Sequence, residues 1–308
     1  MLPKISKSAD ILRKQGTKHL AKEIWAYCLQ SEDLARKLKK VVGKEKYEQI
    51  VMFPLLGYWP RLEFPQTFNE KISNRKLHTD NDLYTKLSDK YAVREYVRDK
   101  VGDEILNEVY WVTEEPQDIP FEDLPNKFVV KSTHGSDMIN IVDDKSTVDF
   151  DEIISECENW LQTEFGSPTN EYWYQRIDPK IIVENKIQSD KYKVPVDFKF
   201  FVFHGQVECI QVDVGRFDEH SRCMYGPDWE LEDYTIKYPK GKGADEPEML
   251  DEMIGIAEKL GEDLEFARVD LYQPKSDKIV FGEITLSPGA GYEWFSPPKY
   301  DFILGSYW

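Results

Sequence analysis

Cysteine and histidine are scarce in this 308-residue chain, long apolar runs are lacking, and the 40 Lys and Arg are outnumbered by 57 Asp and Glu; each of these narrows the classes of function. The four cysteines, Cys28, Cys157, Cys209 and Cys223, are scattered, with no CxxC and no paired histidine spacing. That pattern supports neither a zinc site nor a disulfide framework and leaves buried free thiols as the expectation. No run approaches the ~18 apolar residues of a membrane-spanning helix. The opening MLPKISKSADILRKQ lacks the apolar core and small-residue cleavage site of a secretory signal, so the expected location is cytoplasmic. No P-loop, no GxSxG and no Ser/His/Asp arrangement stands out. The net charge of −17 disfavours a nucleic-acid partner, because phosphate binding needs a basic surface.

What is present is the composition of a folded protein, 41% apolar and 13% aromatic, long enough to bury a core in more than one lobe. Its charge is uneven: residues 1–50 hold 12 Lys and Arg against 6 Asp and Glu, so they carry +6 and the remainder −23. Residues 9–30 read as an amphipathic helix, with Ile11, Leu12, Leu20, Ile24 and Trp25 on its stripe and Lys14, Lys18 and Lys22 off it. A second helix is expected over Glu32–Val51, carrying the basic cluster Arg36, Lys37, Lys39 and Lys40. The stretch FPLLGYWPRLEFP then breaks regular structure. Thr67 and Glu70 form a capping-box candidate, and a longer helix is expected from Asp82 to Val101. Strands are expected at Asn107–Val112, Lys127–Ser132, Ile139–Asp143, Lys180–Ile187, Pro195–His204 and Val207–Val214, and helices at Glu152–Thr163 and Met249–Leu260. The order suggests a helical segment over 1–63, an α+β lobe over 64–183 and a second, strand-rich lobe over 184–308.

The chemistry gathers in Phe266–Gly291, FARVDLYQPKSDKIVFGEITLSPGAG. Two strands, Phe266–Tyr272 and Lys278–Leu286, joined by the polar connection Gln273–Asp277, read as a hairpin. Alternation places Arg268 and Asp270 on one face of the first strand, and Glu283 and Thr285 on one face of the second. If the hairpin closes in that register, two carboxylates, a guanidinium and a hydroxyl share one face. This is a hard-oxygen set suited to Mg²⁺, which takes one or two carboxylates and leaves positions for phosphate oxygens. The plainer alternative is a solvated, charged face. Ser287–Gly291 then lets backbone approach closely, as a phosphate or acyl site requires.

Other stretches have both a bland and a chemical reading. FVVKSTHGS delivers Lys131 from an apolar strand into a small polar turn, a way to hold nucleotide phosphates or an ordinary edge lysine. LSDKYAVREYV offers Asp89, Lys90 and Arg94, and IIVENKI turns polar at Glu184. VDFKFFVFHG places Asp197 and Lys199 on one face of an otherwise apolar strand, where inward charges need partners. Asp80-Asn81-Asp82 is DxD-like, but a helix start explains it better.

The joint order of TFNEKI, DKYAVREYV, KSTHGS, DFKFFVFHG and RVDLY…GEITLSPGAG…FSP resembles the TupA-like ATP-grasp family, associated with teichuronopeptide and other cell-surface polysaccharide synthesis, over roughly Phe64 to Trp308. The resemblance implies an α+β ATP-grasp fold, two lobes clasping ATP behind a helical amino-terminal segment. It implies that Lys90 and Lys131 contact phosphates and that the loop His134, Gly135, Ser136 covers them. Glu184 and the backbone of Asn185, Lys186 and Ile187 would hold adenine, with Asp197 near the ribose. Asp270 and Glu283 would bind Mg²⁺, with Thr285 standing where the wider superfamily commonly has Asn. Arg268 would stabilise the transferring phosphoryl group or oxyanion, and Lys199 would assist.

The implied reaction joins a carboxylate, such as a uronic acid of a surface glycan or an amino acid, to an amine through an acyl phosphate. Such chemistry needs charge neutralisation, not a protein nucleophile. Competing readings are a sugar-hydroxyl kinase, a polysaccharide glycosyltransferase and an inactive scaffold. For the basic arm, one reading packs its apolar stripe on the body, and the sharper one lays it peripherally on an anionic membrane or glycan.

Overall fold

The computed structural model describes Trp25 and residues 31–189, 195–214 and 221–308. Apart from Trp25, whose indole Nε1 donates to Val51 O at 3.3 Å, the helix expected over 9–30 lies outside the described residues. The chain divides into two compact units. One comprises residues 1–79, 167–171 and 287–306, and the other residues 80–166, 172–286 and 307–308.

Glycine and cap residues cut the first unit into short helices. The single helix expected over Glu32–Val51 is two, Glu32–Val42 and Lys44–Leu56, because Gly43 between them adopts φ +83°. In the basic cluster, Lys39 Nζ donates to Ser167 O at 2.5 Å, while Arg36 and Lys37 pair with Asp33 on their own helix. The helix Phe68–His78 starts on the expected capping box: Glu70 N donates to Thr67 Oγ1 at 3.2 Å and Thr67 N to Glu70 Oε2 at 3.1 Å. Tyr47, Val51, Met52, Leu55 and Leu62 form the core of this unit.

The second unit holds two antiparallel sheets. In the first, β1 (Val109–Thr113), β2 (Phe128–Ser132), β3 (Ile139–Val142) and β4 (Ile181–Asn185) run in the order β1-β4-β2-β3. The helix Phe150–Leu161 covers it, setting Ile153 and Cys157 among Phe128, Val130, Ile181 and Val183. The second sheet draws on β5 (Asp197–Phe203), β6 (Gln206–Val214) and β7 (Ser221–Tyr225); the two-residue β8 (Thr235–Ile236) follows in the chain before β9 (Phe266–Lys275) and β10 (Lys278–Thr285). Its order is β10-β9-β5-β6-β7. The helix Leu250–Gly261 packs Met253, Ala257 and Leu260 into a core shared with Phe200, Val202, Val269, Leu271 and Ile284. Each large side chain so buried stabilises by roughly 1.5–3 kcal/mol. Antiparallel sheets with segregated helices are the α+β class expected.

Three local differences from the sequence reading have clear causes. The expected helix Asp82–Val101 is interrupted, giving Asp82–Ser88 and Val93–Val101, because Asp89 leaves helical geometry and its Oδ1 accepts from Tyr91 N at 2.8 Å and Ala92 N at 3.1 Å. The hairpin strands run on to a tight turn at Ser276-Asp277. β9 tolerates Pro274 because its pairing with β5 has ended at Tyr272. Neither β7 nor the final helix Lys299–Tyr307 had a periodic signal strong enough to read. The three described cysteines are free and buried, and among the described residues no helix is long and apolar enough to cross a membrane.

Candidate active site

Strand register in the second sheet brings the hairpin residues together. Asp270 pairs with Glu283 and Arg268 with Thr285 between β9 and β10, while Lys199 on β5 lies opposite both Asp270 and, on β6, Gln211. Glu283, Asp270, Lys199 and Gln211 therefore form one row across four strands. Arg268 grips this row from one side. Its Nε donates to Asp270 Oδ1 at 2.7 Å, and Nη2 donates to Asp270 Oδ2 at 2.8 Å, Glu283 Oε1 at 3.1 Å and Thr285 Oγ1 at 2.9 Å. Thr285 Oγ1 in turn donates to Glu283 Oε1 at 3.2 Å. Lys199 Nζ donates to Asp197 Oδ2 at 2.5 Å and also to Asp270 Oδ2.

Burial makes these charges consequential. Lys199 is 2% exposed and Asp270 1%, whereas the Glu283 side chain is 48% exposed. Burial, with Asp197 and Glu283 adding to it, pushes the Asp270 carboxyl up to about 6 despite the opposing pull of Arg268 and Lys199. Burial also works against the Arg268 charge, but the Asp270 carboxylate beside it holds the guanidinium protonated. The carboxylates of Asp197, Asp270 and Glu283 outnumber the two cations, a balance that a divalent cation would redress. Among the described residues no three His, Cys, Asp or Glu side chains cluster as an all-protein metal cage. Two carboxylates and a hydroxyl are instead the partial, hard-oxygen set that Mg²⁺ accepts when phosphates and waters complete its shell.

The other residues singled out by sequence lie on the first sheet, the loop after β2 and the interrupted helix, from which the Lys90 charge interacts with Glu283. At the break, Lys90 N donates to Thr133 O at 3.1 Å and Lys90 Nζ to Gly135 O, docking the turn onto the loop that follows β2. Burial lowers the Lys90 pKa against the Glu283 carboxylate, and Lys131, Asp89 and Glu184 also act on it. Lys131 pairs with Glu184. His134 is buried, its Nδ1 sharing a 2.8 Å hydrogen bond with Ser132 Oγ and its Nε2 a 3.2 Å one with Thr163 O, so it locks the loop from within. Burial lowers its pKa and keeps the ring neutral. A Cβ at Gly135 would press on the Phe165 ring at 2.9 Å and displace the flexible end of Met138; Ser136 is exposed. At the end of β4, Asn185 N donates to Glu108 O at 2.9 Å and Asn185 O accepts from Asn107 Nδ2 at 2.8 Å, because β4 lies between β1 and β2. Lys186, paired with Asp143, and Ile187 follow the strand.

The sequence reading passed over Gln211, Asp213 and Arg222. These buried residues extend the polar face onto β6 and β7: Arg222 Nε donates to Asp213 Oδ1 at 2.7 Å, Gln211 Nε2 donates to Asp213 Oδ2 at 3.0 Å, and Asp213 lies opposite Asp197. The available signal was the polar alternation within QVECIQVDV. In the DxD-like triplet, Asn81 caps the helix Asp82–Ser88 through Leu83 N at 3.0 Å, and Asp80 pairs with Arg176 at 2.6 Å. The cap reading stands, placed on the asparagine.

Comparison with known proteins gives a consistent family and remote structural likenesses. A D-alanine–D-alanine ligase from Bacillus anthracis complexed with ATP is 16% identical, with a TM-score of 0.38 over 65% of this chain and 54% of its own. An N5-carboxyaminoimidazole synthase from Aspergillus clavatus with ADP and its ribonucleotide is 13% identical, with a TM-score of 0.38 over 65% and 44%. The ATP-grasp ligase PsnB with Mg, ADP and a precursor variant is 12% identical, with a TM-score of 0.39 over 85% and 67%. The chain spans about half the length of the first two. No curated protein matches it. The model of the TupA-like ATPgrasp family matches residues 70–308, which include every residue of the constellation just described. With most of its length inside that match, the chain belongs to the TupA-like ATP-grasp family.

Proposed function

We propose that this chain is an ATP-dependent carboxylate–amine ligase that forms an amide on a uronic-acid or amino-acid group used in cell-surface polysaccharide synthesis. The observation that carries the reading is the Glu283–Asp270–Lys199 row with Arg268 forked across it, a charge-handling face with no serine or cysteine nucleophile in it. In this reading Asp270 and Glu283, with Thr285, hold Mg²⁺, which supplies charge neutralisation at the phosphates. ATP supplies the phosphoryl group that turns a carboxylate into an acyl phosphate, the electrophile an amine can attack.

The chain's own residues do the rest. Lys90 and Lys131 bind phosphate oxygens, and the loop locked by His134 covers them. Arg268, fixed by Asp270, presents its guanidinium where negative charge builds up in the transfer. Lys199 holds Asp197 and Asp270 in register and neutralises them. In this reading Glu184 and the backbone of Lys186 and Ile187, beyond the engaged backbone of Asn185, hold the base, with Asp197 serving the ribose.

The test is ADP release with ATP, Mg²⁺ and paired pools of uronic acids and amines, followed by mass analysis. An amide product supports the ligase. A phosphate ester would instead identify a hydroxyl kinase sharing the same nucleotide site, and ATP-independent product would overturn both.

A further inference from the structure

The first unit buries a charged network that the proposed chemistry does not use. Glu48 is 0% exposed and Lys76 3%, and the two form an ion pair between the helices Lys44–Leu56 and Phe68–His78. Glu48 accepts three further hydrogen bonds: from Ser73 Oγ at 2.9 Å, Asn170 Nδ2 at 2.7 Å and Tyr292 Oη at 3.0 Å. Lys76 Nζ also donates to Ala290 O at 2.6 Å and lies 4.3 Å from the centre of the Tyr292 ring. Ser287 Oγ donates to the buried Glu171, whose Oε2 also accepts from Thr169 Oγ1 at 2.5 Å.

The contacts of Ser287, Ala290 and Tyr292 tie this network to one turn. Gly289, Ala290 and Gly291 have φ of 54°, 54° and 75°, three consecutive left-handed residues of which one carries a Cβ. Such a run is not self-supporting: a non-glycine residue there persists only where its surroundings over-determine it. At Gly291 a Cβ would add a tight contact of 3.1 Å to Asn69 O to the strain of its positive φ. A buried ion pair is a poor stabiliser compared with apolar packing, and this one sets its ammonium on the carbonyl of the strained Ala290. The chain enters this turn at Ser287, two residues after Thr285.

We propose that Glu48 and Lys76 are positioning residues: their ion pair imposes the left-handed conformation of Gly289–Gly291, and turnover depends on that conformation. The inference rests on the ligase reading for its functional half only. Lys76→Met leaves the Glu48 carboxylate buried and unpaired, whereas the double variant Glu48→Gln/Lys76→Met removes both charges and keeps a hydrogen-bonding side chain at 48.

Three readouts decide it: thermal midpoint, amide hydrogen exchange over residues 287–292, and ADP release under the conditions that give wild-type turnover. The single variant should lose thermal stability. The double variant should regain it, yet still exchange at least tenfold faster over 287–292 and release ADP at least tenfold more slowly, with MgATP affinity unchanged by calorimetry. Wild-type exchange or wild-type turnover in the stable double variant would overturn the proposal, because a merely structural pair restores both with stability. If the wild-type protein releases no ADP, the ligase reading falls, and the exchange measurement still decides whether the pair holds the turn.

Discussion

Glu283 faces Asp270 across the β9–β10 ladder because Gly282 is bulged out of register between Phe281 and Glu283. Ile279 and Phe281 both point into the core, and strict alternation from them would carry Glu283 and Thr285 inward as well. The extra residue resets the phase. Ile284 and Leu286 enter the core, while Glu283 and Thr285 join Arg268 and Asp270 on the opposite face.

The bulge is therefore expected to be a functional requirement. At Gly282 a Cβ would meet Asp270 O at 3.0 Å and Tyr272 Cε2 at 2.9 Å. Gly282→Ala should cost ~1–3 kcal/mol through overpacking, and it should lower turnover by more than that loss of stability explains. Deleting Gly282 should prevent folding, because it sends two polar side chains into the core. Circular dichroism melts and ADP release separate the effects; wild-type turnover in Gly282→Ala would count against the role of the bulge.

The two carboxylates should respond differently to neutralisation. Glu283 is half exposed, so Glu283→Gln should leave the fold intact and lower turnover by orders of magnitude through lost Mg²⁺ binding. Asp270 is buried between Lys199 and Arg268, so Asp270→Asn should also destabilise, by less than the ~3–5 kcal/mol for breaking one side of a buried pair because the burial cost that raises the carboxyl pKa is relieved. Arg268→Lys should fail in turnover as well, because a point charge cannot replace the fork that spans both Asp270 oxygens. Melts and ADP release on the three variants check this; equal stability of Asp270→Asn and wild type would refute the pairing argument.

The sequence made most strands and the shared face of Arg268, Asp270, Glu283 and Thr285 legible, because period-2 alternation survives on both sides of a bulge. The phase reset at Gly282 was not legible, since a glycine in a strand gives no sign of which way the partner shifts. Likewise, the helical periodicity of 82–101 reads straight through Asp89, although side-chain capping breaks the helix there and frees Lys90 to reach Gly135. The Glu48–Lys76 pair was invisible: its members and partners come from four separate stretches, and each is an unremarkable residue within its own.

Lys131 offers a direct test of the nucleotide site. Its ammonium now pairs with Glu184, and both side chains are largely buried. Lys131→Ala should weaken ATP binding by ~1.5–3 kcal/mol, the worth of a hydrogen bond to a charged group. Calorimetry would read this as a ~10- to 150-fold rise in Kd. Unchanged affinity would remove Lys131 from the phosphate site, and a preference for GTP would contradict adenine binding at the end of β4.

The last prediction concerns a buried carboxyl away from the proposed chemistry. Asp301 is 4% exposed; its Oδ1 accepts from Asn69 N at 3.0 Å, and Tyr58 Oη lies 3.4 Å from Oδ2. Burial, partly offset by hydrogen bonds from Asn69 and Thr67, pushes its pKa up from 3.8 to about 6. Between those values the folded protein keeps a proton that the unfolded chain has already released, so stability falls as pH rises through the window. Two pKa units correspond to ~3 kcal/mol, fully present as a cost above the folded pKa and absent below the unfolded one. Asp301→Asn keeps an acceptor for the Asn69 amide without the charge. Urea unfolding should therefore show the variant more stable than wild type at neutral pH, with the difference shrinking towards zero as pH falls to the ordinary aspartate range. A variant less stable at neutral pH would mean that the ionised carboxylate is the form the fold prefers.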